Sequence, residues 1–227
     1  MSHLGAGRLA ALAASAVLGL AGCGQDAPGV AASVDGAQIT MDQVDSYASA
    51  VCTYNDVTAE VTGQPEQAVT GQELRGFAVD LLVQQTLTER VAEEQGVSVP
   101  ASAAAQQIDP QTEEIIDAMP AEEGAVINEI VSTSQRNAAL QQAIGTKLLD
   151  EQGGGGDAQQ AQQAAAEELT KAEAEADIDI DPRLAEAYSS RAQQRGAKAS
   201  VPDVPLAVPV SADDAGENTG EDAPSCS

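Results

Sequence analysis

Residues 70–96 read as a helix that must be surrounded on several sides, and that requirement decides most of what this chain can fold into. Thr70, with Glu73 three positions later, forms a capping box. Leu74, Phe77, Ala78, Leu81 and Leu82 make one apolar face, while Val79, Val83 and Leu87 carry it round the other side until Gly96 supplies the stop. A helix apolar on more than one side packs between neighbours. Those neighbours come from a chain of 227 residues with no Trp and a single Phe. Apolar residues are 43% of it but aromatics only 2%, and Ala dominates. The core is therefore built from small side chains on helices, and the expected class is mainly α.

The elements around that helix can be read in order. Val30–Val34 and Ala37–Ile39 flank Asp35-Gly36, a dipeptide suited to the positive φ values of a two-residue hairpin turn. Thr40 with Gln43 is a second capping box, starting a helix in which Met41, Val44, Ala48, Val51 and Cys52 share an apolar side. The polar stretch Asn55–Val69, with Gly63 and Pro65, reads as a loop. A weaker helix is expected over Ala101–Met119, interrupted or restarted at Pro110. Pro120 then opens a long helix to about Glu151, with Ile127, Ile130, Val131, Ala138, Leu140, Ile144 and Leu148 in one stripe that Ser134 and Asn137 interrupt. Gly153–Gly156 reads as a flexible linker. Ala158–Ala176 is nearly pure helix former, held by propensity more than by burial. Asp177-Ile178-Asp179-Ile180-Asp181 alternates strictly up to Pro182, as a strand does, and is the one candidate partner for the distant hairpin. Past about Ala192 periodicity fades into an acidic tail that reads as disordered.

The first residues carry an export signature. Arg8 precedes the apolar run Leu9–Leu20, which is shorter than the ~20 residues a spanning helix needs, and Leu20-Ala21-Gly22-Cys23 reads as a lipobox. Cys23 is accordingly the expected lipidation site, with the protein held at the extracytoplasmic face of the cell membrane by a diacylglyceryl group and palmitate-type chains. Residues 23–227 hold 9 basic and 36 acidic side chains, a formal charge of −27. That charge opposes nucleic acid and anionic lipid headgroups, so a two-chain lipid must supply the attachment. Cys52 and Cys226 remain as an even pair and form a candidate disulfide; the alternative is a buried apolar Cys52 and a free thiol at Cys226.

Chemistry-bearing motifs are few. Asp177, Asp179 and Asp181 match the first ligand positions of a calcium-binding loop, but Pro182 and Tyr188 stand where glycine and a bidentate glutamate are required. The only histidine, His3, lies in the segment removed on export, which excludes Ser-His and Cys-His nucleophile pairs and His-containing zinc sites. Glu113, Glu114, Glu122 and Glu123 could pair as acid and base, yet among 36 acidic residues their adjacency carries little weight. No catalytic residue, cofactor or metal is expected, and the chain reads as a non-enzyme.

The order of elements resembles the N-terminal domain of the SurA and PrsA group of exported chaperones and foldases. Val30 through Thr40 is similar to their Val-Asn/Asp-Gly-x-x-Ile-Thr opening. Leu81–Leu87 followed by Ala92, Gly96 and Val97-Ser98-Val99 is similar to their Leu-Ile helix and Ala-x-x-x-Gly-Ile-x-Val. Asp179-Ile180-Asp181-Pro182-Arg183 resembles the late Val-x-Val-Asn/Asp-Pro-Arg strand, and Leu206–Ser211 a tail motif of actinobacterial members. The resemblance implies a helical module closed by a small β element, and a role in holding unfolded or newly exported polypeptides. Foldase members carry a parvulin prolyl isomerase domain where this chain has only Gly153–Gly156, so the holding role carries over and the isomerase does not. The expected organisation is a signal at 1–22, a tether at 23–29, a helical region at 30–152, the linker at 153–156, a closing helix and strand at 157–191, and the tail at 192–227. The competing expectation is a structural envelope lipoprotein that docks one fixed partner.

Overall fold

The computed structural model describes residues 29–65, 69–104 and 108–197. Strands β1 (Val30–Val34) and β2 (Ala37–Thr40) form the hairpin, and β3 (Ile178–Ile180) pairs antiparallel with the other edge of β1. Sheet order is β2-β1-β3. Both turn residues take the positive φ that a tight hairpin needs, 49° at Asp35 and 86° at Gly36. Six helices follow among the described residues, α1 (Met41–Thr62), α2 (Gly71–Glu94), α3 (Pro110–Ala118), α4 (Ala121–Glu151), α5 (Ala158–Glu175) and α6 (Ala185–Ala197), with one 3₁₀ turn at Ala101–Ala104, and α1 and α2 pack on the sheet.

The helix at 71–94 is the hub, touching α1, α4, α5, α6 and the hairpin. Its Leu74, Ala78, Val79, Val83 and Leu87 are at most 2% exposed, which is how a helix apolar on several sides is satisfied. Two apolar clusters form along it. The larger joins the sheet, α1, α2 as far as Leu87, α3 and the first half of α4; the smaller joins Val91 and Ala92 to Leu140, Ile144, Ala165, Leu169 and Ala172. Between them on α2 lies Thr88, fully buried with its hydroxyl donating to the Gln84 carbonyl, and on α4 lie Ser134 and Asn137. These two residues were expected to break the α4 stripe; they belong to its buried face, at the junction of the two clusters.

Several elements differ from the sequence expectation. Residues 55–62 continue α1 instead of forming a loop, because nothing breaks the helix before Gly63, which closes it at φ 67°. Thr58 and Thr62 hold this last stretch by donating to the carbonyls of Tyr54 and Thr58. Pro110 starts α3 outright: Asp109 caps it, and the preceding segment is a separate 3₁₀ turn. Ala138, assigned to the apolar stripe, is exposed.

The glycine run is a fixed turn. Residues 152–157 alone connect α4 to α5, with the Gly153 and Gly154 amides donating to the carbonyls of Asp150 and Leu149 and Gly156 packed on the Leu149 side chain. The connection is thus short enough to make α4 and α5 an antiparallel hairpin, not a freely tethered pair. Burial also matters more for α5 than its composition suggested, since Ala161, Ala165, Leu169 and Ala172 are all buried. Where Gly145 faces Ala161, the two backbones approach so closely that a Cβ would lie 2.5 Å from the Ala161 carbonyl carbon. Finally, α6 extends to Ala197, past the point where a disordered tail was expected to begin. Only Leu184 and Tyr188 supply large apolar side chains there, too few for a visible period, but Ala187 fits against Gly76 of α2.

Candidate functional site

Of the residues assigned chemical roles from sequence, Cys23 and Cys226 lie outside the described residues, as does the segment 198–227. Cys52 lies on the buried side of α1, 5% exposed, and is disulfide-bonded. Among the described residues no group of three His, Cys, Asp or Glu side chains converges as a metal site would require. No helix among them is long and apolar enough to cross a membrane.

The aspartate triplet runs along the strand that closes the fold, where Asp177 and Asp181 are engaged. The Asp35 amide donates to the Asp177 carbonyl while the Asp177 amide donates to the Asp35 carboxylate, both at 2.9 Å. Arg90 of α2 completes the junction: it pairs with Asp35 and donates to the Ala172 carbonyl at the end of α5. Asp181 receives Arg183 on both carboxylate oxygens, and these hydrogen bonds hold its carboxyl down to about 2. Asp179 is exposed on the strand.

A second polar junction secures α6. Arg195 pairs with Asp80 of α2 and Glu173 of α5, and the Tyr188 hydroxyl donates to the same Glu173 carboxylate. Burial, reinforced by that carboxylate, pushes the Tyr188 phenol well above its ordinary value. Arg191 lies over the Phe77 ring at 5.3 Å. Across the molecule, burial and the carboxylate of Glu129 on α4 likewise push the Tyr47 phenol up to about 12. Sequence reasoning missed all three tyrosine and arginine junctions, because each joins residues far apart in the chain and none has a local pattern; only the Asp-Gly turn marked Asp35 as special.

Two surfaces remain for contact with other molecules. A cleft of about 760 Å³ lies where α3 meets the start of α4, with Ile108, Pro110 and Ile116 beside Asp109, Glu113, Asp117 and Asn128. Asp109 is committed to capping α3, and hydrogen bonds from Thr112 and Gln111 lower its carboxyl. No Lys or Arg occurs between Arg90 and Arg136, so this cleft disfavours anions. Glu113 and Glu114 are exposed along α3 and Glu122 at the start of α4, with Glu123 half-buried. The other surface is thinly apolar. Met41, Val57, Phe77, Leu81, Val126 and Val131 are half-buried over the larger cluster, while Val61, 38% exposed, is the one large apolar side chain among the described residues that is exposed.

Residues 6–117 match the family model of the SurA-like N-terminal domain. The chain carries a SurA-like N-terminal domain. Comparison with curated proteins and with solved structures finds no match. The matched stretch of the SurA-like domain runs through the hairpin, α1, α2 and nearly all of α3. Helices α4, α5 and α6 and strand β3 lie beyond it in sequence, yet β3 completes the same sheet, α4 contributes Ile127 and Ile130 to the larger cluster, and α5 packs in the smaller one. Over residues 6–117 the chain is thus similar to a chaperone-related family.

Proposed function

We propose that this protein is a membrane-anchored lipoprotein that holds unfolded or newly exported polypeptides at the extracytoplasmic face of the membrane, without prolyl isomerase activity. The observation that carries the reading is a SurA-like domain closed directly on itself. Only residues 152–157 separate α4 from α5, where the foldases it resembles place their catalytic domain. The half-buried Met41, Phe77, Leu81, Val126 and Val131 supply shallow apolar contact, suited to weak and reversible holding. The lipobox at Leu20–Cys23 supplies the location.

The test is aggregation of a chemically unfolded exported protein in the presence of the purified mature chain. Suppression at stoichiometric ratio supports holding; unchanged aggregation refutes it. A proline-containing tetrapeptide should isomerise at its uncatalysed rate, and clear acceleration would overturn the non-enzymatic part of the reading. Replacement Cys23→Ser should move the protein from the membrane to the soluble fraction.

A second reading, a lipoprotein that docks one fixed partner, is favoured by the scarcity of exposed large apolar side chains, of which Val61 is the one example among the described residues. Recovery of one stoichiometric protein on crosslinking in whole cells would select it, and a heterogeneous set of clients would reject it.

A further inference from the structure

We infer that α6 occupies a groove of α2 and α5 that takes basic helices, and that a helical segment of another polypeptide can replace it there. Such a segment carries a small residue followed by two arginines at four-residue intervals. Ala187, Arg191 and Arg195 have that spacing, which places them on one face of α6. They meet three different features. A Cβ on Gly76 of α2 would lie 2.6 Å from the Ala187 Cβ, so the groove is closed to anything larger than glycine at that point of α2. Arg191 lies over the Phe77 ring at 5.3 Å, and Arg195 pairs with Asp80 and, at 2.7 Å, with Glu173. The groove therefore selects by shape at one end and by charge at the other, with an aromatic face between them.

The resident helix is held loosely for its length. It packs chiefly on α2. Leu184, just ahead of it, and Tyr188 are its large apolar side chains, and nothing of that kind follows as far as Ala197. The later turns depend on the two arginines. Burial brings the Arg195 guanidinium down to about 10, so the lost hydration outweighs what its carboxylates return. A half-buried ion pair of this sort contributes little net stability, and an incoming helix with the same stripe recovers each of its contacts. Exchange is thus nearly balanced, apart from the advantage that attachment gives α6.

The experiment is binding of a fluorescent peptide with the sequence of residues 184–197 to the full-length protein, followed by anisotropy. Wild type should bind it weakly, because its own α6 competes at an effective concentration on the order of millimolar. Arg195→Ala loosens the resident helix and leaves Asp80 and Glu173 to the arginine of the peptide, so binding should tighten by about tenfold or more. Adding Asp80→Asn should abolish that gain. Hydrogen exchange should show residues 185–197 opening faster in Arg195→Ala, with α2 and α4 protected as in wild type. If α6 loosens and the peptide binds no better, or if α6 keeps its full protection, the proposal is overturned. Binding that ignores Asp80→Asn, or that a scrambled peptide of the same composition matches, reflects attraction to the acidic protein as a whole and overturns it too. Should Arg195→Ala lose protection throughout, Arg191→Ala makes the same test through Phe77, with the same expected and refuting results. Aggregation of an unfolded client is not the readout, so failure of the exchange and failure of holding are told apart.

Discussion

Replacing Gly145 by alanine tests how much of the fold depends on the close approach of α4 and α5. An alanine in a helix interior is favoured over glycine by about 1 kcal/mol, so composition alone forecasts a stabilised protein. The structure forecasts the opposite. The new Cβ would lie 2.5 Å from the carbonyl carbon and 2.9 Å from the Cα of Ala161, both of them backbone atoms of the facing helix. Carbon atoms rest at roughly 3.5–4.0 Å, so the helices must part by about 1 Å, a gap that forfeits a quarter to a half of each dispersion contact it opens. The contacts at stake are those of Ala161, Ala165, Leu169 and Ala172, and with them the smaller apolar cluster. Overpacking of this kind costs about 3 kcal/mol, which leaves a net loss of about 2 kcal/mol after the propensity gain. For a chain of this size that is a fall in Tm of roughly 4–8 °C, measurable by circular dichroism at 222 nm. Gly71→Ala is the control: its Cβ meets nothing closer than Arg75 Nη1 at 3.9 Å, and stability should stay within about 0.5 kcal/mol of wild type. A Tm for Gly145→Ala at or above that of wild type would refute the packing argument.

Other outcomes follow from the same geometry. Leu87→Ala, at a fully buried position on the central helix, should cost about 2–5 kcal/mol, read from the midpoint of urea unfolding. Arg90→Ala should destabilise through the uncompensated carboxylate of Asp35 and the lost bond to the Ala172 carbonyl; hydrogen exchange should show the loosening first at β3 and the end of α5. The Tyr47 phenol is raised from 10.0 to about 12 in the folded chain, so its contribution is fully present below pH 10 and is lost as pH rises from 10 to 12. Stability measured across that window should fall, and Tyr47→Phe should flatten the decline, which Tyr188 shapes in the same direction. Asp181 behaves conversely: its lowered pKa means a contribution present above pH 3.8 and lost as pH falls toward 2, and Asp181→Asn should remove that acid dependence.

What the sequence disclosed was the part governed by local rules. Asp35-Gly36, Thr40 with Gln43, and Thr70 with Glu73 each satisfy backbone groups within four residues, and each stands in the structure as read. The alternation of Ile178 and Ile180 was enough to identify β3 and its distant partner, because no other alternating strand was available. The errors fall where tertiary contact overrules composition. Residues 55–62 look polar, yet they stay helical since no breaker intervenes before Gly63. Gly153–Gly156 looks like slack chain, but a turn that short between two packed helices has no slack. Ser134 and Asn137 look like surface residues and sit where two clusters abut. The candidate site was less legible still. The hydrophobic period identifies buried faces, and it says nothing about which half-buried side chains such as Phe77 or Val131 remain available to a partner.

The position of β1 in the middle of the sheet also sets an order of events. The hairpin is close in sequence, but β1 pairs on its far side with β3, and the Asp35–Asp177 bond closes over a separation of 142 residues. Until that strand arrives, one edge of β1 is an unpaired template for any extended polypeptide nearby. Joining partners so distant in sequence also makes the closing step the slow one in folding. Before β3 pairs, the open edge of β1 is therefore a place where a foreign extended strand can add in its stead.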